Sequence, residues 1–204
     1  IPTTNPWLPQ TMKILFLSRW YPFPPDNGSK IRVANLLRGL CQQHRVTLIS
    51  FFNPEDGTPA KELLGATPEE IHLCPYREFD PHRSRALLGY LSRAPRYLID
   101  TYSSEMDALI QAATQDEQYD LVIASQLSMA SYYRSFRRIP AIFEEVELGI
   151  YQPSGVRGSG NWSSLRRRLT WSKHRRYTTR LLENFRLCTV ASDIERHLLA
   201  TAAP

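Results

Sequence analysis

Short runs of consecutive apolar residues alternate along this chain with stretches whose apolar positions recur every three or four residues. Lys13–Ser18 (KILFLS) has the continuous apolar character of a strand covered on both faces. Val33, Leu36, Leu37, Leu40 and Cys41 then fall at helical spacing. Arg45–Phe52 (RVTLISFF) predicts a second strand and Glu70–Cys74 (EIHLC) a weaker third. From Pro81 to Thr114 the pattern is mostly helical, interrupted at Pro95. Asp120–Ser125 (DLVIAS) predicts another buried strand, followed by a helix near Leu127–Arg137. Pro140–Val146 (PAIFEEV) and Leu187–Ala191 (LCTVA) predict the last strands, with a helix near Asp193–Thr201. The order is broken at Gln152–Asn161, a polar loop with three glycines. A long helical pattern follows from Trp162 to about Phe185, carried by Trp162, Leu165, Leu169, Tyr177, Leu181 and Phe185.

Strands and helices in turn imply βαβ units. The expected fold class is therefore α/β, a Rossmann-like three-layer parallel sheet flanked by helices. Ligands of such sheets sit beyond the carboxyl ends of the strands, so the residues following each strand are the ones to interrogate.

A chain of 204 residues fits one domain. No apolar run approaches the roughly 18 residues that span a bilayer. The first eleven residues lack the basic and apolar regions of a signal peptide. Residues 1–11 are expected to be an extension, Ile1–Thr4 reading as an expression-vector spacer, and Met12 a native start; residues 12–204 form the domain. Cys41, Cys74 and Cys188 sit far apart and read as thiols of a reducing compartment, so the chain is expected to be cytoplasmic. Cys41-Gln-Gln-His44 and His72-Leu-Cys74 each offer only two ligands, too few for zinc, and no metal or cofactor is expected.

Charge changes the picture locally. Arg157 to Arg186 holds nine Lys/Arg against one acid, Glu183, so it carries +8 in a chain of net charge +5. Arg166, Arg167, Arg168, Lys173, Arg175 and Arg176 lie here. They read either as a solvated face whose stems cover core or as a surface for anionic lipid. Nucleic acid is disfavoured, because no recognition motif accompanies the charge.

The candidate chemistry gathers after the strands. Gly28 precedes a helix whose first turn holds Lys30 and Arg32, cations at the positive end of the helix dipole, where an anion would be welcome. A lone glycine is neither a dinucleotide fingerprint nor a P-loop. Arg19, Trp20 and Tyr21 follow the first strand and could stack on a sugar or simply pack. Ser125 and Gln126 end a later strand, and Ser125 lacks the glycines of a nucleophile elbow. Glu144, Glu145 and Glu147 follow the next. Strand alternation sets Glu145 and Glu147 on one face and Glu144 on the other. Carboxylates there are costly unless paired or at a cleft. Catalytic residues are not assigned.

The segment MKILFLSRWYPFPPDNGSKIRVANLLRGLCQQHRVTLISF resembles the opening of family 4 glycosyltransferases, in particular the exopolysaccharide-building branch. The proline-rich loop, P-x-x-G turn and K-x-R step are here Pro24, Pro25, Gly28, Lys30 and Arg32. YLIDTYSSEMDALI, YDLVIASQLSMASYY and ENFRLCTVASDIERHLL extend the resemblance over nearly the whole chain. It implies the N-terminal, acceptor-side half of a GT-B fold, with a donor-binding C-terminal domain beyond Pro204, so this segment alone is expected to be inactive. It implies a retaining, metal-independent glycosyltransferase moving a sugar from a nucleotide-sugar donor to a glycan or lipid-linked acceptor in polysaccharide biosynthesis. Gly28, Lys30 and Arg32 would then hold donor phosphate. Arg19, Trp20, Tyr21, Ser125, Gln126, Glu145 and Glu147 would bind acceptor, Ser125-Gln126 standing where many members place a histidine. The basic helix would touch the inner face of the cell membrane. The competing expectation is a non-catalytic Rossmann-like module docking to anionic membrane or to a polysaccharide-assembly partner.

Overall fold

The computed structural model describes residues 11–56, 67–116, 118–147 and 162–202, with the backbone alone described at 116, 162–167 and 202. Among these, six strands form one all-parallel sheet. They are β1 (Lys13–Ser18), β2 (Arg45–Phe52), β3 (Glu70–Pro75), β4 (Leu121–Ser125), β5 (Ala141–Glu144) and β6 (Leu187–Cys188), in spatial order β3-β2-β1-β4-β5-β6. The helices are α1 (Gly28–Cys41), α2 (Ser84–Leu88), α3 (Arg96–Thr101), α4 (Ser104–Asp116), α5 (Gln126–Ala130), α6 (Tyr133–Phe136), α7 (Trp162–Leu182) and α8 (Asp193–Ala202).

Alternation along β1 shows why the sheet is covered twice. Leu15 and Leu17 join one core with Met106 of α4, Met129 of α5 and Leu181 of α7. Ile14 and Phe16 join the other with Val33 and Leu37 of α1. All four β1 side chains are fully buried, each contributing about 1.5–3 kcal/mol by leaving water. This is the three-layer α/β Rossmann-like arrangement that the apolar runs predict.

Several boundaries differ from the sequence expectation, each for a local reason. β5 stops at Glu144 because Glu145 takes a left-handed backbone (φ 59°). β6 spans only Leu187–Cys188, although Thr189 N still donates to Phe143 O at 2.9 Å. The helix expected near Leu127–Arg137 is two, α5 and α6, divided where the Tyr132 hydroxyl accepts from Ser103 N at 2.9 Å. α7 ends at Leu182 and not near Phe185, with Asn184 Nδ2 donating to Arg180 O and Leu181 O. The polar loop Gln152–Asn161 lies outside the described residues, as do residues 1–10 of the expected extension and the side chains of Trp162 and Leu165.

Candidate functional site

The order of strands reverses between β1 and β4, and that switch point is where an open α/β sheet makes its crevice. β4 and β5 are in register with Ser125 opposite Glu144, so both strands end at the same level. α1 begins beside them. Its N-cap is Asn27, whose Oδ1 accepts from Lys30 N at 3.0 Å.

The two cations at the positive end of α1 each have a carboxylate. Lys30 Nζ lies 3.0 Å from Asp26 Oδ2, and its own residue is buried. Arg32 Nε donates to Glu144 Oε1 at 2.6 Å, and Ser125 Oγ donates to Glu144 Oε2 at 2.6 Å. Glu144 is only 4% exposed, so this bridge between α1, β4 and β5 is what makes its burial tolerable. A Cβ built at Gly28 would meet nothing within 4 Å, so the loop is open on that side.

Immediately after the paired strand ends, Gln126 (φ 66°) and Glu145 (φ 59°) both adopt the left-handed conformation. The turn breaks the alternation that sorts Glu144 from its neighbours: Glu144 and Glu145 are both buried, and Glu147 is half-buried. Gln126 Nε2 donates to Glu145 Oε2 at 3.0 Å, and Glu145 N donates to Thr189 Oγ1 at 3.1 Å. Gln126 Oε1 is buried with no hydrogen-bond partner among the described residues. Burial pushes the Glu145 carboxyl above the usual range, opposed by the Gln126 bond and reinforced by the charge of Glu144. Burial likewise raises Glu147, with Glu145 and Glu195 adding to it and Arg19 and Arg32 opposing.

The loop after β1 divides the aromatic candidates. Arg19 Nη2 donates to the Tyr76 hydroxyl at 3.0 Å, and the guanidinium lies 4.6 Å from the Trp20 ring centroid and 5.3 Å from that of Tyr76. Trp20 and Tyr76 rings are 5.5 Å apart. Tyr21 instead packs in the core, edge-on to Phe23 at 5.9 Å. Its phenol is therefore withdrawn from the cleft, and for this residue simple packing accounts for its position.

The basic residues of α7 form a separate region. Lys173 Nζ donates to Gly89 O at 2.6 Å and Arg175 stacks over Trp171 at 4.8 Å. Arg168 and Arg176 are exposed, while the side chains of Arg166 and Arg167 lie outside the described residues. A wide groove of about 1470 Å³ runs beside α7, walled by Tyr97, Tyr102, Tyr132, His174 and Arg180. None of the strand-end residues line it. Two buried carboxylates, Glu144 and Glu145, and the unsatisfied amide oxygen of Gln126 gather at the strand ends; buried Asp100, with its own unpartnered Oδ1, lies apart on α3 beneath Arg83. Among the described residues no group of three or more His, Cys, Asp or Glu could hold a metal ion, and no described helix is long and apolar enough to cross a membrane.

No protein-family model matches the sequence, and no curated protein matches it. Solved structures do. Apo UGT2 of Phytolacca americana aligns at 13% identity and TM-score 0.45, over 94% of this chain and 50% of that one. The glycotransferase of kitacinnamycin aligns at 17% and 0.37, over 86% and 41%. The C-terminal domain of a hydrogenase from Pyrococcus furiosus aligns at 13% and 0.39, over 66% and 92%. The chain thus spans half or less of the two glycosyl-transferring proteins. Likenesses this loose bear on neither activity nor ligand, and the functional reading rests on the residues.

Tyr76 is the part of the site that sequence reasoning missed, and Glu144 was singled out without a role. The signal for Glu144 was the cost of a carboxylate at the end of a buried strand; its partner Arg32, 112 residues earlier, is invisible in sequence. Tyr76 follows β3 directly, the same position relative to its strand that drew attention to Arg19. Taken together, the strand ends offer an amide and two carboxylates of raised pKa at the switch point of the sheet, with an open glycine beside them. Such a set can both donate and accept hydrogen bonds.

Proposed function

We propose that this chain is the acceptor-side half of a GT-B glycosyltransferase of family 4 type, acting in polysaccharide assembly. It would move a sugar from a nucleotide-sugar donor to a glycan or lipid-linked acceptor, with retention and without a metal, and a second Rossmann-like domain would supply the remaining donor contacts. The observation that carries the reading is the Gln126–Glu145 pair, held at the switch point by two left-handed residues beside the Arg32–Glu144–Ser125 bridge. The sequence resemblance at Gly28, Lys30 and Arg32 adds the donor side.

In this reading Gln126, Glu145 and Glu147 accept and donate hydrogen bonds to acceptor hydroxyls, and Arg19 with Trp20 forms a stacking edge. Gly28 lets the loop approach the diphosphate of the donor, while Lys30, paired with Asp26, and Arg32, paired with Glu144, supply the positive field those pairs leave. The acceptor oxygen bonds to the anomeric carbon as the bond to the diphosphate breaks. The departing diphosphate takes the electron pair, and the hydroxyl proton neutralises one of its oxygens. Arg32 reaches the ligand mainly through its field, because Glu144 already holds its Nε. Peripheral contact of the basic α7 with anionic membrane would bring a lipid-linked acceptor close.

The test is sugar transfer by the natural full-length protein, using radiolabelled nucleotide sugars. Gly28→Val has room to fold, since its Cβ meets open space. Gly28→Val and Lys30→Ala should each lower transfer about a hundredfold, the scale for losing one stabilising group at developing charge. Glu145→Gln should weaken acceptor binding with the donor constant unchanged. Transfer untouched by Gly28→Val and Lys30→Ala would remove the phosphate assignment.

A further inference from the structure

Away from the strand ends, the structure holds a group of apolar side chains out in water. Leu87, Leu88 and Leu91 are 51%, 64% and 90% exposed, with Tyr90 and Phe79 beside them. This is not a frayed loop. Gly89 N, Tyr90 N and Leu91 N donate in turn to Arg85 O, Leu87 O and Leu88 O, each at 3.0 Å. Arg96 then clamps the segment, donating to Ala86 O at 2.8 Å, Pro81 O at 2.8 Å and the Tyr90 hydroxyl at 2.7 Å, with its guanidinium 3.9 Å from the Tyr90 ring centroid. Gly89 is packed so closely that an added Cβ would sit 3.0 Å from both Ala86 O and Arg96 Cα. Only Ala86 of α2 turns fully inward. A short helix whose buried side is one alanine and whose outward side is leucine has no reason in its own core to be leucine-rich.

The charge around this protrusion indicates what covers it. Arg85 and Arg93 are exposed on the same segment. Lys173 of α7 joins it through Gly89 O, and Leu169, one turn earlier, is 62% exposed. Arg176 and Arg180 are exposed on that same face of the helix, whereas Arg168 and Arg175 fall on the opposite one. Of the acids around it, Asp80 and Asp100 are engaged by Arg83, and Asp107 by Tyr102 and Ser135, which leaves exposed Glu78 beside Phe79 against the surrounding arginines.

We infer that the Leu87–Leu91 protrusion and the basic side of α7 together seat this protein on an anionic lipid bilayer. The leucines enter the boundary between headgroups and acyl chains, Tyr90 lies at that level, and the arginines meet the lipid phosphates. Neither part suffices: leucines alone would bind any apolar surface, and cations alone would bind any polyanion. This inference stands on the protrusion and does not depend on glycosyl transfer.

Flotation with lipid vesicles tests it. The protein should float with vesicles containing about one-third phosphatidylglycerol and stay behind with pure phosphatidylcholine. Leu88→Ser with Leu91→Ser should weaken binding about tenfold or more, since two leucines lose their burial in lipid. Arg176→Glu with Arg180→Glu should abolish it, and added salt should weaken the unaltered protein. The leucines make little of the fold, so the melting temperature of the double variant should match the parent; if it does not, Leu91→Ser alone serves. Binding unchanged by the leucine substitutions overturns the proposal, as does equal flotation on neutral vesicles. So does a dimer in sedimentation that those substitutions dissolve, because the patch then belongs to a second copy of the chain. Transfer to a water-soluble acceptor, unaffected by Leu91→Ser, keeps this result separate from the catalytic reading.

Discussion

The charge of Arg32 has a structural use that its position near a helix N-terminus conceals. It neutralises Glu144, whose side chain is 5% exposed, across 112 residues of chain. Arg32→Ala strands that carboxylate, and denaturant unfolding should show a loss of about 3 kcal/mol, the low end for breaking a buried pair because Arg32 itself is a third exposed. Adding Glu144→Gln should recover most of it. Glu145 answers a different measurement. Its carboxyl pKa is raised in the fold by burial, so its contribution to stability is complete below its unfolded value and declines as pH rises through the folded one. Glu145→Gln should therefore gain stability relative to the parent on going from about pH 4 to about pH 8, read from urea midpoints. At this scale the sequence exposed the anomaly but not its resolution. Asp26, four residues before Lys30, was in reach of local reading; Glu144 became a partner only when three separate elements met.

Elements were more legible than contacts, for a physical reason. A parallel strand buried on both faces is apolar nearly throughout, so β1 and β4 show as unbroken runs and β2 as one broken only by buried Thr47 and Ser50. Their ends were not legible where a backbone conformation decides them: nothing in FEEV announces that Glu145 turns left-handed. Helix α1 depends on its cap. Asn27→Ala removes the acceptor of Lys30 N and should cost about 1 kcal/mol in thermal or urea unfolding. The α2 protrusion depends on Gly89, which hydrophobic periodicity passes over. Gly89→Ala forces a methyl against the Ala86 carbonyl and the Arg96 backbone, costing roughly 1–3 kcal/mol as an overpacked site. Limited trypsinolysis should then cut at Arg85 faster than in the parent, where Gly89 N holds the Arg85 carbonyl.

The whole molecule joins two cores, one on each face of the sheet, and α7 closes the larger of them. His174 of α7 is 2% exposed, stacked 6.3 Å from Tyr97, and burial lowers its pKa to about 4. The unfolded chain takes up a proton near the ordinary value of 6.5, and the fold resists until about 4. Stability should thus fall as pH drops across that window, by about 3 kcal/mol from this residue alone. In His174→Gln the melting temperature should depend less steeply on pH there. The Rossmann-like class was readable from the alternation of strands and helices, whereas the order β3-β2-β1-β4-β5-β6, which fixes where the crevice opens, is a property of the assembled sheet. The two left-handed residues at its mouth also set what variation the crevice can accept. Ordinary strand positions reward Val and Ile and penalise Gly. At 126 and 145 that preference should invert, β-branched residues being excluded by the backbone itself and Gly or Asn retained in the folded population. Saturation libraries sorted for folding at these two codons would show the inversion, and would make the crevice a place where ligand preference can drift only through a narrow set of residues.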